Sequence, residues 1–322
     1  MSKKAKRREE ARLQEWKQTS TAPVAAAEAP AEKASGLAQF FDRHYRLLMI
    51  FPTLFLLFAI GQIAYQVTST GDFSVRSVSL SGGTQITVLR PDLDATAIEE
   101  ALRTRFPDGG VSVTKVGSGL VLAARYSESA DTDRFVSGVS EELQLSREEY
   151  SVEIVGATLG QSFFRQTMIA LAIAFVFMST VVFISFRNIA PSLFVVLAAL
   201  ADIITTLAIF NVFGFELTTA SIAAFLMLIG YSIDTDVLLT SRVLRRKYGT
   251  ISDATVGAFT TGATMSVTTL CATLIGLSLT QSELLRQMMF IIFTGVIVDM
   301  VYTWCYNAPI LKWYLERKAV HG

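Results

Sequence analysis

Two stretches decide the fold: APSLFVVLAALADIITTLAIFNV at Ala190–Val212 and LTTASIAAFLMLIGYSIDTDVLLT at Leu217–Thr240. Only Phe213-Gly214-Phe215-Glu216 separates them. Each run exceeds the roughly 18–20 apolar residues that cross about 30 Å of hydrocarbon as a helix. Together they read as a helical hairpin through a bilayer. Working outward, four more runs qualify, at about 46–66, 166–186, 255–279 and 287–311. The chain has 322 residues and is 51% hydrophobic but only 17% charged, a balance too apolar for a soluble domain of this size. The expected class is an α-helical polytopic membrane protein with six transmembrane helices.

The charges lie between the runs and set the orientation. Arg43 and Arg46 precede the first span, and Arg187 sits between the second and third. Arg242, Arg245, Arg246 and Lys247 follow the fourth, and Lys312, Arg317 and Lys318 follow the sixth. With six spans all of these fall on one side, which the positive-inside rule makes the cytoplasm. Both termini are then cytoplasmic. The first apolar run begins too far from Met1 for a cleavable signal. Residues 1–45 read as a basic, largely disordered cytoplasmic arm, with Lys3, Lys4, Lys6, Arg7, Arg8 and Arg12 as a positive flank. Residues 312–322 read as a short cytoplasmic tail.

Residues 67–165 form a soluble segment on the opposite side. Gln85–Arg90 alternates as a strand, and Asp94–Phe106 reads as a helix capped by Asp94. Val111–Val116 and Leu120–Arg125 read as a hairpin across Gly117-Ser118-Gly119. Asp131–Leu145 is helical in pattern and Tyr150–Val155 alternates again. The order β-α-β-β-α-β is that of an extracytoplasmic, ferredoxin-like α+β domain placed between the first helix and a five-helix bundle at 166–311. It holds no nucleophile–base pair and no metal-ligand cluster, so an enzyme is not expected. Cys271 and Cys305 both lie in apolar runs and exclude a disulfide framework. With only His44 and His321, no histidine metal site is expected, and no cofactor, nucleotide or nucleic-acid motif is present.

The polar residues inside the spans carry the functional signal, because an ionised group at bilayer depth costs several kcal/mol unless paired or hydrated. Asp202 lies near the middle of span three, Asp234 and Asp236 toward the end of span four, and Asp299 in span six with Asn307 beyond it. No Lys or Arg lies at comparable depth, so ion pairs do not neutralise them. Span five offers hydroxyls at Thr260, Thr261, Thr264, Ser266, Thr268 and Thr269 as partners. A proton or cation path through the bundle is one reading. Helix–helix hydrogen bonding, worth about 0.6 kcal/mol per group, is the other. Asp234 and Asp236 are about 200° apart around a helix, so they face different ways. One of them faces the interior and the other a neighbouring helix or the head-group edge, and Asp234 is the leading functional candidate.

The run Gly230-Tyr231-Ser232-Ile233-Asp234-Thr235-Asp236, closing at Arg242, resembles the fourth-span signature of the SecF family within the resistance-nodulation-division superfamily. Ala201-Asp202-Ile203-Ile204 is similar to its third-span acidic motif. Val155-Gly156-Ala157-Thr158-Leu159-Gly160 is similar to its lead-in to span two, and Ser81-Gly82-Gly83-Thr84 to the glycine pair opening the external domain. The resemblance covers about residues 45–312. It implies pairing with SecD, association with the SecYEG channel, and assistance to a translocating preprotein across the cytoplasmic membrane, in bacteria with the proton gradient. Bacterial members carry Asn-Asp where this chain has Asp234-Thr235, and an Arg early in span five where Thr261 stands. That combination resembles the archaeal type. A non-energised assembly factor and a small-molecule efflux half are the competing expectations.

Overall fold

The computed structural model describes residues 36–88, 90, 93–116, 119–126, 128–246, 250–280 and 282–321; the basic stretch before residue 36, Lys247 and the Gly117-Ser118 turn lie outside them. Six helices among the described residues are long and apolar enough to cross a membrane: Ala38–Thr70, Ala157–Phe186, Ile189–Val212, Thr219–Leu244, Ile251–Leu279 and Leu284–Val320. We number these spans one to six. The chain is a multi-pass membrane protein, mostly helical, with one small antiparallel sheet.

Two span limits differ most from the sequence reading. Span two starts at Ala157 rather than 166, and its first turns pack against Ser81 and Gly82 at the entry to the sheet domain. Span six continues to residue 320, and Lys312 is not part of a solvated tail. It is 4% exposed; its ammonium donates to Asp42 and to Ser252 (3.1 Å) and lies 4.9 Å from the Tyr45 ring. The helix over Gly36–Leu48, at the start of span one, supplies Asp42 and Tyr45 to this contact. The sequence marks Lys312 only as a positive flank, whereas long lysine stems can bury while their heads find partners.

Spans one and two turn large apolar side chains outward, including Leu54, Leu57, Phe58, Val176, Phe177 and Val181, as a lipid-facing surface requires. Spans three, four and six form the interior. Their backbones approach closely at small residues. A Cβ on Gly295 of span six would lie 2.4 Å from Leu228 Cδ2 of span four, and one on Gly262 of span five 2.5 Å from the Trp304 ring.

Between spans one and two the strands are β1 (Gly83–Val88), β2 (Ser112–Val116), β3 (Gly119–Ala124) and β4 (Tyr150–Val155), with helices at Ala95–Arg105 and Ser129–Glu142. They pair antiparallel in the order β2-β3-β1-β4. One face of the sheet packs Ile86, Val88, Leu120 and Leu122 against Leu102, Phe135 and Val139 of the helices. The Asp94 carboxylate accepts from the Thr96 amide at 3.0 Å and caps the first helix. Arg90 clamps β4 by donating to Glu149 at 2.7 Å.

The domain is seated by two glycine segments that meet. Gly82 and Gly83 have φ of +81° and +130°, in the left-handed half of backbone space that favours glycine. A Cβ on Gly82 would lie 2.3 Å from Ala157 Cα, and one on Gly160 2.5 Å from Gly82 N. The turn into β1 therefore lies directly on the first turns of span two. The linker after span one is fixed in turn by Leu217, whose amide donates to Val75 O (2.6 Å) and whose carbonyl accepts from Ser77 N (3.0 Å).

Two outcomes follow. Gly82→Val should unseat this joint and lower the amount of folded protein in membranes, read by quantitative blotting beside a Gly36→Ala control, where a Cβ meets nothing. Arg90, together with the Ser146 amide and hydroxyl, holds the Glu149 carboxyl down at about 2. Its contribution is thus complete above the ordinary 4.5 and lost as pH falls toward 2. Glu149→Gln should flatten the acid-side loss of amide-exchange protection on Tyr150–Val155.

Candidate functional site

Span four begins with a capping box in which Thr218 and Ser221 satisfy each other's amides, and Ser221 also donates to Gln287 of span six at 3.2 Å. This fixes the rotation of the helix. Ser232, Asp236 and Thr240, spaced by four, are then buried together with Thr235, Leu239 and Val243. Gly230 and Asp234 fall on the opposite, outward face. Of the two acids, the interior position goes to Asp236 rather than Asp234. The four-residue polar stripe through Ser232 and Thr240 carries that information, and Asp234 has no such company on its own face.

Across from this stripe, span six places Asp299, Thr303 and Asn307, also four apart. Asp236 Oδ1 accepts from Asn307 Nδ2 at 2.7 Å and from the Thr303 hydroxyl at 3.0 Å. Thr303 also lies 3.3 Å from Asp299 Oδ1 and so bridges the two carboxyls. The Thr235 hydroxyl reaches both Asp299 oxygens, at 3.2 and 2.9 Å. Residues Thr303–Asn307 form a single π-turn inside span six. Such a turn shifts the side-chain register locally and recurs at functional positions.

Asp202 of span three is fully buried beside this pair. Ser232 and Thr206 flank it, yet neither hydroxyl meets hydrogen-bonding geometry, and both carboxyl oxygens lack a donor. Asp236 Oδ2, Asn307 Oδ1 and the Thr240 hydroxyl are likewise buried without partners. No Lys or Arg occurs between residues 188 and 241 or between 287 and 311. The interior of spans three, four and six therefore holds three carboxyls, a few hydroxyl and amide donors, and no fixed positive charge.

The hydroxyls of span five do not serve these acids. Thr260, Thr261 and Thr264 donate to carbonyls of their own helix, at Val256, Gly257 and Thr260, and Thr268 and Thr269 do the same to Met265. A threonine in a helix always has its own carbonyl three or four residues back within reach, which explains why the expectation fails. Thr260, Thr261, Thr264 and Thr268 line an outward-facing groove of about 420 Å³ with Met265. Ser266 is the exception, accepting from the Tyr231 hydroxyl at 3.0 Å. Arg242 donates to Gly257 O and so ties the end of span four to span five. Gly82 and Gly83 belong to the domain joint, far along the chain from the acids.

Thr235 and Thr303 are the site residues that a search for charges passes over. The signal was present as spacing, since Asp299, Thr303 and Asn307 repeat every four residues. Thr303→Val should lower the thermal midpoint of the purified protein by the equivalent of about 1 kcal/mol, because it removes the bridge between two buried carboxyls. Asp234→Asn, on the outward face, should stay within about 0.5 kcal/mol of the parent.

Residues 136–317 match the C-terminal family of the SecD/SecF protein-export membrane proteins. The chain is 35% identical over 284 residues to the protein-export membrane protein SecF of Methanothermobacter thermautotrophicus, covering 86% of this chain and 95% of that one. It is 34% identical over 286 residues to SecF of Methanocaldococcus jannaschii, covering 85% and 97%. These relatives are archaeal, in keeping with the departures from the bacterial pattern at Asp234-Thr235 and Thr261. The crystal structure of SecDF, a translocon-associated membrane protein from Thermus thermophilus, superposes with a TM-score of 0.70 at 20% identity over 85% of this chain. This chain spans 38% of the length of that one. With a shared architecture, and with 95% and 97% of these two archaeal relatives covered, this chain belongs to the SecF family of protein-export membrane proteins.

Proposed function

We propose that this chain is the SecF half of a SecDF-type assembly, pairing with a SecD subunit and assisting preproteins that leave the SecYEG channel. The domain of 67–165 is read as an extracytoplasmic ferredoxin-like unit, and both termini as cytoplasmic. The strand order β2-β3-β1-β4 and the placing of positive residues support that reading. Coupling to an ion gradient is assigned to the intramembrane acids, with Asp236, Asp299 and Asp202 as the inner set and Asp234 on the outward face. The observation that carries this assignment is the burial of three carboxyls among spans three, four and six with no basic residue at their depth. Function is the ordinary reason for a membrane chain to keep such residues.

A second reading has a specific observation in its favour. Thr235, Thr303 and Asn307 satisfy part of the set, as they would if the acids only held spans four and six together. Secretion measured in cells carrying Asp299→Asn, with and without an uncoupler and with subunit levels followed, separates the two. Loss of the uncoupler-sensitive share of export at normal subunit levels is the expected result. Export that falls only in step with subunit abundance would assign the acids a structural role. Purification without any SecD-like partner would instead favour an efflux half.

A further inference from the structure

We infer that the outer face of the Gly36–Leu48 helix, where Arg43 and Arg46 lie between Phe40 and Leu47, docks anionic phospholipid headgroups. The inference goes beyond the export role and does not depend on it. Length places the helix first. Ile50–Thr70 has 21 residues. At about 1.5 Å per residue these alone cross about 30 Å of hydrocarbon. Gly36–Leu48 joins that stretch at Met49, so it begins where the hydrocarbon ends, at headgroup depth.

The helix has two unlike faces. Phe41 and Tyr45, each 9% exposed, pack against Leu239 and Val243 of span four and Trp304 and Leu311 of span six. Asp42, the one acid in the helix, accepts from Lys312 and Ser252, and the Tyr45 hydroxyl donates to Glu316 at 3.2 Å. These contacts hold the helix in place. The other face carries Phe40, Arg43, His44 and Leu47, spaced by three and four. Phe40 and Leu47 are 55% and 64% exposed, and the Phe40 and His44 rings lie 4.7 Å apart. Arg43 and Arg46 are both exposed, and Arg43 has no ion pair among the described residues. Arg43, Arg46 and Lys312 outnumber Asp42 and Glu316, so the cluster keeps a positive charge. Arg317, 4.4 Å over the Trp313 ring, and the exposed Lys318 add to it at the end of span six.

A flank that served only to orient the chain would need charge alone. Here the charge shares a face with two large apolar side chains, the arrangement of a helix lying in the interface plane. Phe40 and Leu47 can enter the acyl boundary while the guanidinium groups pair with phosphate through their forked donors. A zwitterionic headgroup neutralises its own phosphate, whereas an anionic one leaves a net negative charge for Arg43 and Arg46.

The test uses the purified full-length protein in two kinds of vesicle, phosphatidylcholine alone and phosphatidylcholine mixed equally with phosphatidylglycerol. Amide hydrogen exchange over residues 36–48 is expected to slow in the anionic vesicles and to recover in high salt. Arg43→Gln combined with Arg46→Gln is expected to abolish the difference, and Arg187→Gln, exposed between spans two and three, to keep it. Equal exchange in the two vesicles, or a difference that survives the double variant, would overturn the inference. If the double variant does not fold, native mass spectrometry of the parent taken from the mixed vesicles decides. Phosphatidylglycerol should then be retained over phosphatidylcholine by about fivefold for each arginine engaged. Equal retention of the two lipids overturns the inference. None of these readouts involves export or a SecD subunit, so either account can fail while the other stands.

Discussion

Inside a bilayer no water is at hand to solvate a carboxylate, so Asp236 and Asp299 are tolerated only because partners are folded in with them. The polar stripe of span six pairs with that of span four, and the rotation of both helices follows from that pairing. The capping box at Thr218, with its link to Gln287, sets the same rotation from the far end of span four. Gly295 lets the two backbones come close enough for hydroxyl-length contacts, since any side chain there would collide with Leu228. Asp202 completes the interior from span three, and apolar spans one and two close the outside.

The soluble domain depends on the same frame. Its sheet opens at the glycine pair resting on span two, and its linker is hydrogen-bonded to Leu217 in the loop entering span four. Asn211 at the end of span three adds a donor to Phe73 O at 2.8 Å. Spans three and four thus touch the base of the domain through the Asn211 side chain and the Leu217 backbone.

Much of this was legible in sequence. Apolar run length located all six spans, and period-two alternation with turn residues located four strands in nearly their final limits. Two weak motifs around Gly82 and Gly160 turned out to be the two halves of one joint, which only three-dimensional proximity could reveal. The choice between Asp234 and Asp236 depended on helix rotation, and attention to charge alone pointed outward while the hydroxyl spacing pointed in. The number of hydroxyls in span five does not identify the partners of the acids, because carbonyls of its own helix absorb those hydroxyls. Lys312 shows the same limit in reverse, since a lysine at a span end looks solvated until Asp42, Ser252 and Tyr45 converge on it.

The central claim is that spans four and six are held in register by polar pairing. A double-mutant cycle on thermal or denaturant unfolding with Thr235→Val and Asp299→Asn tests it most directly. The account predicts a coupling energy of about 0.6 to 1.7 kcal/mol, the range for hydrogen bonds between membrane helices. Effects that simply add, within about 0.3 kcal/mol, would contradict it.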